Sequence, residues 1–404
     1  MVTGPKKTGI LSFAKDDVHN QREVQRMAKR FDWKEAGKGL LTEASQLKEY
    51  IDLTDEEVEK MEEILEAYPM CITPYYLSLI DKEAGEDDPI RKMSIPSVSE
   101  TDMSGAFDTS GEGSNTVLRG LQHKYHATAL ILSTSRCAMY CRHCFRKRLV
   151  GADSEGETEG NIAEMAEYVQ SHPEISNVLI SGGDAFLNTN EVLKEYLERF
   201  TQIDTLDFIR FGTRIPVVLP ERIYADEELL DMLKEYGKKK QLFLVTQFNH
   251  PKEITEESKK AVEALKNAGV VVRNQTVLLK GVNADPAVLG QLFRQLTSIG
   301  VVPYYVFQCR PVTGVKNQFQ VPVLEGIDIV QKAKDMQNGQ GKSVRYCMSH
   351  PKGKIEFVGK THSGKVLMKF HQAKYDEDAG RLFTVEMTDT DCWLPEEIEY
   401  GDVL

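Results

Sequence analysis

The 404-residue chain lacks any excess of positive charge: 50 lysines and arginines face 62 aspartates and glutamates, for a formal charge of −12. That balance argues against nucleic acid as the main partner, because phosphate binding needs a basic surface. No apolar run approaches the length needed to cross a bilayer, so no membrane partner is expected. The basic N-terminus lacks the apolar segment of a secretory signal. A disulfide framework is missing too. Seven cysteines, an odd number without regular spacing, suit a reducing compartment, and a cytoplasmic location is expected. No internal repeat stands out.

Three of those cysteines are crowded into one segment. Cys137, Cys141 and Cys144 form a C-x3-C-x2-C run. Offsets of four and seven also set three residues on one helix face, so an apolar stripe is one reading. A structural zinc site is another, with His143 as fourth ligand, although no second knuckle is present. The third is an iron–sulfur cluster. A cubane has four irons, so three thiolates leave one open to chelation by an amine and a carboxylate. Arg142, Arg146, Lys147 and Arg148 make the surroundings locally basic.

The first third of the chain reads as polar and helical. Thr54 to Glu57 has the form of a capping box, followed by Val58, Met61, Ile64 and Leu65 on one face. A second helix is expected at Thr73-Pro74. Residues 96–115, rich in Ser, Gly, Asp and Thr, read as a surface loop or linker. From residue 128 short apolar runs alternate with amphipathic stretches. The runs are Thr128–Thr134, Asn177–Ser181, Asp207–Gly212, Gln241–Thr246, Val271–Leu278 and Val302–Gln308. This alternation predicts an α/β fold with a parallel sheet and crossover helices. Beyond residue 313 one helix and two strands joined by a turn at Thr361–Gly364 are expected to fold over the open side. The resulting regions are 1–127, 128–312 and 313–404.

Active sites of parallel α/β folds collect at the C-terminal strand ends. The cysteine segment follows the first run. Ser181-Gly182-Gly183-Asp184 follows the second, Arg214 the third, and Gln247-Phe248-Asn249-His250 the fourth. Every polar cluster with chemical potential falls at one predicted mouth.

The cysteine run resembles that of the radical S-adenosylmethionine enzymes. With Cys141-Arg142-His143-Cys144, Ser181 to Ala185, Arg214 to Pro220, Phe248 to Pro251, Asn274 to Leu279 and Pro303 to Tyr305, the chain resembles the lysine 2,3-aminomutase family over roughly residues 105–350. The resemblance implies a partial (β/α)6 TIM-like barrel. It implies a 4Fe–4S cluster on Cys137, Cys141 and Cys144, and S-adenosylmethionine cleaved to a 5′-deoxyadenosyl radical. Ser181, Gly182, Gly183, Asp184, Arg214, Asn249 and His250 would then bind cofactor. Hydrogen abstraction from an amino-acid-like substrate would lead to a 1,2-amino shift. Arg146 would hold the substrate carboxylate, or else serve the electrostatics of the anionic cluster. A flavodoxin or ferredoxin as electron donor and a homo-oligomer are also implied.

The family also uses pyridoxal phosphate, and here the sequence departs from the pattern. The glycine run carrying the family's lysine is missing; Lys352 or Lys354 would have to stand in. Tyr125 and Lys124 remain where the cofactor phosphate would bind, but Thr128 replaces an arginine. Pyridoxal phosphate is left open by these changes. Ala284 and Ser349 stand where lysine-specific members carry aspartates, which weighs against L-lysine as substrate. His350, Lys369, His371 and Lys374 are candidates for a different pocket. Two alternatives remain: a radical enzyme without pyridoxal phosphate, and a non-catalytic structural metal protein.

Overall fold

A computed structural model describes residue 32, residues 39–150 and residues 157–403. The start of the expected N-terminal region lies outside the described residues. One twelve-stranded sheet organises the chain, with strands adjacent in sequence order. The strands are β1 (Thr116–Leu118), β2 (Leu121–Tyr125), β3 (Thr128–Leu132), β4 (Asn177–Ser181), β5 (Phe208–Gly212), β6 (Gln241–Thr246), β7 (Val271–Leu278), β8 (Val302–Gln308), β9 (Arg345–His350), β10 (Gly353–Lys360), β11 (Val366–Ala373) and β12 (Leu382–Val385). From β3 to β9 every pairing is parallel; the flanking strands pair antiparallel.

The six expected runs are β3 to β8. The chain forms an α/β partial barrel, as the resemblance implies, with β9 added as a further parallel strand. The sheet therefore continues past residue 312.

Helices cross over between the parallel strands: α1 (Ile162–Ser171), α2 (Asn190–Phe200), α3 (Glu227–Gly237), α4 (Glu256–Asn267), α5 (Pro286–Ser298) and α6 (Val323–Asp335). Side chains of Asn161, Asp226, Thr255 and Asp285 cap four of their N-termini, satisfying amides that the helix leaves unpaired. Alternation along each strand divides its side chains between two faces. Val178, Ile180, Ile209 and Phe211 are buried in the core. Leu179, Arg210 and Gly212 line an interior cavity instead.

The arc curls until its two ends meet. Lys124 Nζ on β2 donates to the carbonyl of His350 on β9 at 2.8 Å. The N-terminal region packs on the same mouth. Its helix Asp55–Ala67 has the expected capping box at Thr54 and buries Met61 and Ile64. The helix expected at Thr73-Pro74 is a single turn, Pro74–Leu77.

Residues 96–115 differ from expectation. They are not merely a surface loop: Glu100 is fully buried and Glu112 nearly so. The composition reads as solvent-facing, but the two carboxylates turn inward against the cations beside the cysteines.

Candidate active site

A cavity of about 360 Å³ opens at the C-terminal strand ends. All three clustered cysteines line it, in irregular backbone rather than a helix, which removes the apolar-stripe reading. Among the described residues no three His, Cys, Asp or Glu side chains converge on a single point. The three thiols open instead on one shared volume.

Burial and mutual repulsion push the thiols of Cys137 and Cys144 up, Cys144 to about 11. Three thiolates there need positive charge to exist. Arg214 Nη1 donates to Cys141 Sγ at 2.7 Å, and Arg214 Nη2 pairs with Glu253 at 2.5 Å. Glu253, fully buried, also accepts from Tyr76 Oη at 2.7 Å. The N-terminal turn thus reaches the cysteines through Tyr76 and Glu253. A three-thiolate set backed by a fixed guanidinium fits a cluster with one iron left unligated by protein.

The next strand end explains its glycines. Gly182 has φ 124°. A Cβ on it would come within 2.4 Å of the Thr134 carbonyl oxygen, and one on Gly183 within 2.2 Å of that of Arg136. The absence of side chains lets this turn clamp the loop entering Cys137, through Asp184 N to Arg136 O at 2.8 Å. Asp184 accepts from Thr213 Oγ1 at 2.5 Å and Arg214 N at 2.6 Å, joining the ends of β4 and β5. Burial pushes its carboxyl above the usual value, against those hydrogen bonds.

The basic cluster after the cysteines is neutralised from the 96–115 segment. Glu100 binds Arg142 (Nε at 2.8 Å) and Lys147. Burial opposes its charge, but Arg142 and Lys147 outweigh that and hold it below its ordinary range. Arg146 Nε donates to Glu112 at 2.8 Å while the residue lines the cavity.

Of the two candidate lysines, Lys354 lines the cavity; Lys352 pairs with Glu397 at 2.9 Å. Lys354 Nζ donates to Gln372 at 2.8 Å and sits 4.3 Å from the Tyr305 ring centre. Burial pushes it down to about 8. Tyr125 and Ser181 line the same space. Asn249 and His250 do not. Asn249 is buried behind it, with Nδ2 3.3 Å from His143 Nε2, and His250 Nδ1 accepts from Lys252 N.

The radical S-adenosylmethionine superfamily matches residues 131–289. L-lysine 2,3-aminomutase of Acetoanaerobium sticklandii is 41% identical over 319 residues, covering 78% of this chain and 74% of that one. This chain belongs to the lysine 2,3-aminomutase family of radical S-adenosylmethionine enzymes. It is an isomerase of the aminomutase group. L-lysine 2,3-aminomutase of Fusobacterium nucleatum is 40% identical, covering 76% and 71%. Glutamate 2,3-aminomutase of Clostridioides difficile is 38% identical, covering 78% and 72%. Family members thus differ in the amino acid they are named for.

Sequence reading missed Glu100, Glu112 and Arg310, and gave Glu253 no role although its segment belongs to the resemblance. Glu100 carried a signal, since Ser97 to Glu100 has the capping-box form that the structure displays. Arg310 carried another: it lies two residues beyond the end of β8, at the same mouth as the other strand-end residues.

Proposed function

We propose that this enzyme binds a 4Fe–4S cluster on Cys137, Cys141 and Cys144 and rearranges an amino acid by a 1,2-amino shift. The observation that carries the reading is a single cavity holding three thiols, a basic carboxylate-binding candidate and a lysine of lowered basicity. Held there and reduced, the cluster would supply the one electron that cleaves the sulfonium S–C5′ bond of bound S-adenosylmethionine, giving methionine and a 5′-deoxyadenosyl radical able to take hydrogen from carbon. Arg214 sets positive charge against Cys141. The turn at Gly182 and Gly183 holds the cysteine loop in place. Arg146, tethered through Nε to Glu112, keeps donors for a substrate α-carboxylate. Apolar walls at Leu130, Leu179, Val245 and Val277 limit water around a reactive carbon.

Pyridoxal phosphate fits on Lys354, whose lowered pKa favours the neutral, nucleophilic amine. When bound it would supply the electrophilic carbon that captures a substrate amine, with the Lys354 amine as the leaving group. Reduction by a flavodoxin- or ferredoxin-like donor and assembly as a homo-oligomer complete the proposal.

The test is anaerobic reconstitution with iron, sulfide and pyridoxal phosphate, then reduction in the presence of S-adenosylmethionine and a panel of amino acids. Release of 5′-deoxyadenosine with a β-amino acid product supports the reading. No 5′-deoxyadenosine from protein shown to carry the cluster would refute it.

A further inference from the structure

Arg310 lines the cavity, with its guanidinium 4.1 Å from the Phe145 ring centre. Arg146 lies 4.6 Å from the same ring centre. Among the described residues the Arg310 guanidinium makes no hydrogen bond to protein, and its Nη1 is buried without a partner. A guanidinium has five N–H donors, so leaving it unsatisfied in a low-dielectric interior is costly. Lys124 stands in the same cavity. Its ammonium donates only to backbone carbonyls, Ser110 at 3.3 Å and His350 at 2.8 Å. Neither cation has a carboxylate within ion-pair range among the described residues.

Burial pushes Lys124 down to about 7, and Arg310 and Lys374 push it further the same way. Arg310 is likewise pushed down by burial, to about 10, with Glu112 opposing and Arg146 reinforcing the shift. Glu112 does not discharge this pair, because its oxygens are taken by Arg146 and Arg148 at 2.8 and 3.3 Å. Neither Glu112 nor Asp108, whose charges favour both cations, hydrogen-bonds to either, so the donors of Arg310 remain open to an anion.

We propose that Arg310 is the principal donor of an oxyanion site in this cavity, completing the pair Lys124 and Tyr125 that the family resemblance already places at an anion, with the unpartnered Tyr125 hydroxyl in the same cavity. The chemistry suits either a phosphate monoester, as on pyridoxal phosphate, or a substrate carboxylate. Lys124 offers one ammonium already held by two backbone carbonyls; Arg310 adds the planar fork that grips an oxyanion at two points. The assignment rests on the proposed function for the identity of the anion, but not for its existence.

Calorimetric titration of the anaerobically cluster-loaded protein separates the sources without requiring turnover. The ligands are pyridoxal 5′-phosphate, pyridoxal, inorganic phosphate and L-alanine, the last in the presence of pyridoxal 5′-phosphate. If phosphate is the occupant, R310M weakens pyridoxal 5′-phosphate and inorganic phosphate by on the order of ten- to hundredfold, leaves pyridoxal unchanged, and R310K recovers part of the loss. If carboxylate is the occupant, R310M weakens L-alanine by a similar factor and spares pyridoxal 5′-phosphate. Either result supports the oxyanion site. Unmodified protein that binds pyridoxal 5′-phosphate no better than pyridoxal, and does not bind inorganic phosphate or L-alanine at millimolar concentration, overturns it without recourse to any variant. So does a folded R310M that binds all four ligands as the parent does. Absence of 5′-deoxyadenosine beside intact anion binding would instead remove the proposed function and leave the site standing.

Discussion

Replacing Glu100 by glutamine tests how the basic cluster beside the cysteines is tolerated. Glu100 is fully buried and serves two cations, Arg142 through both carboxylate oxygens and Lys147 through one. Breaking a buried ion pair leaves an uncompensated charge and costs about 3–5 kcal/mol. Here the remaining contacts soften the loss. Arg142 keeps the carbonyls of Pro69 and Tyr68 at 2.9 and 3.2 Å, and Lys147 stays 4.1 Å from the Tyr68 ring centre. The expected destabilisation is therefore at the low end, about 3 kcal/mol, a large share of the roughly 5–15 kcal/mol by which domains are stable. Equilibrium urea unfolding of cluster-free protein, followed by circular dichroism, measures it. The pH dependence gives a second check. Because the folded carboxyl lies below its ordinary value of 4.5, its stabilisation is complete above that value and is lost as pH falls through the lower folded value. The gap between parent and E100Q should be full at pH 7 and close in acid. A difference under about 1 kcal/mol at neutral pH, typical of exposed pairs, would refute the argument.

Other outcomes follow from the same geometry. Replacing any one of Cys137, Cys141 or Cys144 by alanine should abolish cluster absorbance and iron retention, while Cys392→Ala, outside the cavity, retains both; iron and sulfide assays decide. Gly183→Ala forces a Cβ to within 2.2 Å of a backbone oxygen, so it should cost about 1–3 kcal/mol and lower cluster loading, read by thermal unfolding and iron content. Lys354→Ala should eliminate absorbance from lysine-bound pyridoxal and Lys352→Ala should not; the reverse pattern would contradict the assignment. The rate of pyridoxal phosphate capture by the parent should rise as pH increases through about 8, since Lys354 becomes neutral above that value. A rise only near pH 10 would place the attachment on an exposed lysine.

The legible parts of this chain were those governed by short-range pattern. Strands β3 to β8 announce themselves because strands of a covered parallel sheet read as apolar runs. The residues at their ends, from Cys137 to Arg214, were legible for the same reason. Strand β9 was not, because Arg345, Ser349 and His350 break the apolar pattern. The inward turn of Glu100 and Glu112 was also hidden. Their burial depends on Arg142 and Arg146, 42 and 34 residues away. Composition alone makes such a segment look solvated. The choice between Lys352 and Lys354 was invisible for a related reason: it depends on where β10 begins, which leaves Lys352 in the preceding turn, paired with Glu397 from the far end of the chain, and puts Lys354 on the strand facing the cavity.

The central claim is that the protein leaves one corner of its cluster free for S-adenosylmethionine. Electron paramagnetic resonance of the reduced, cluster-loaded enzyme, recorded before and after adding S-adenosylmethionine, tests it most directly. The account predicts a changed spectrum as the amine and carboxylate reach the open iron. An identical spectrum at saturating S-adenosylmethionine would contradict it.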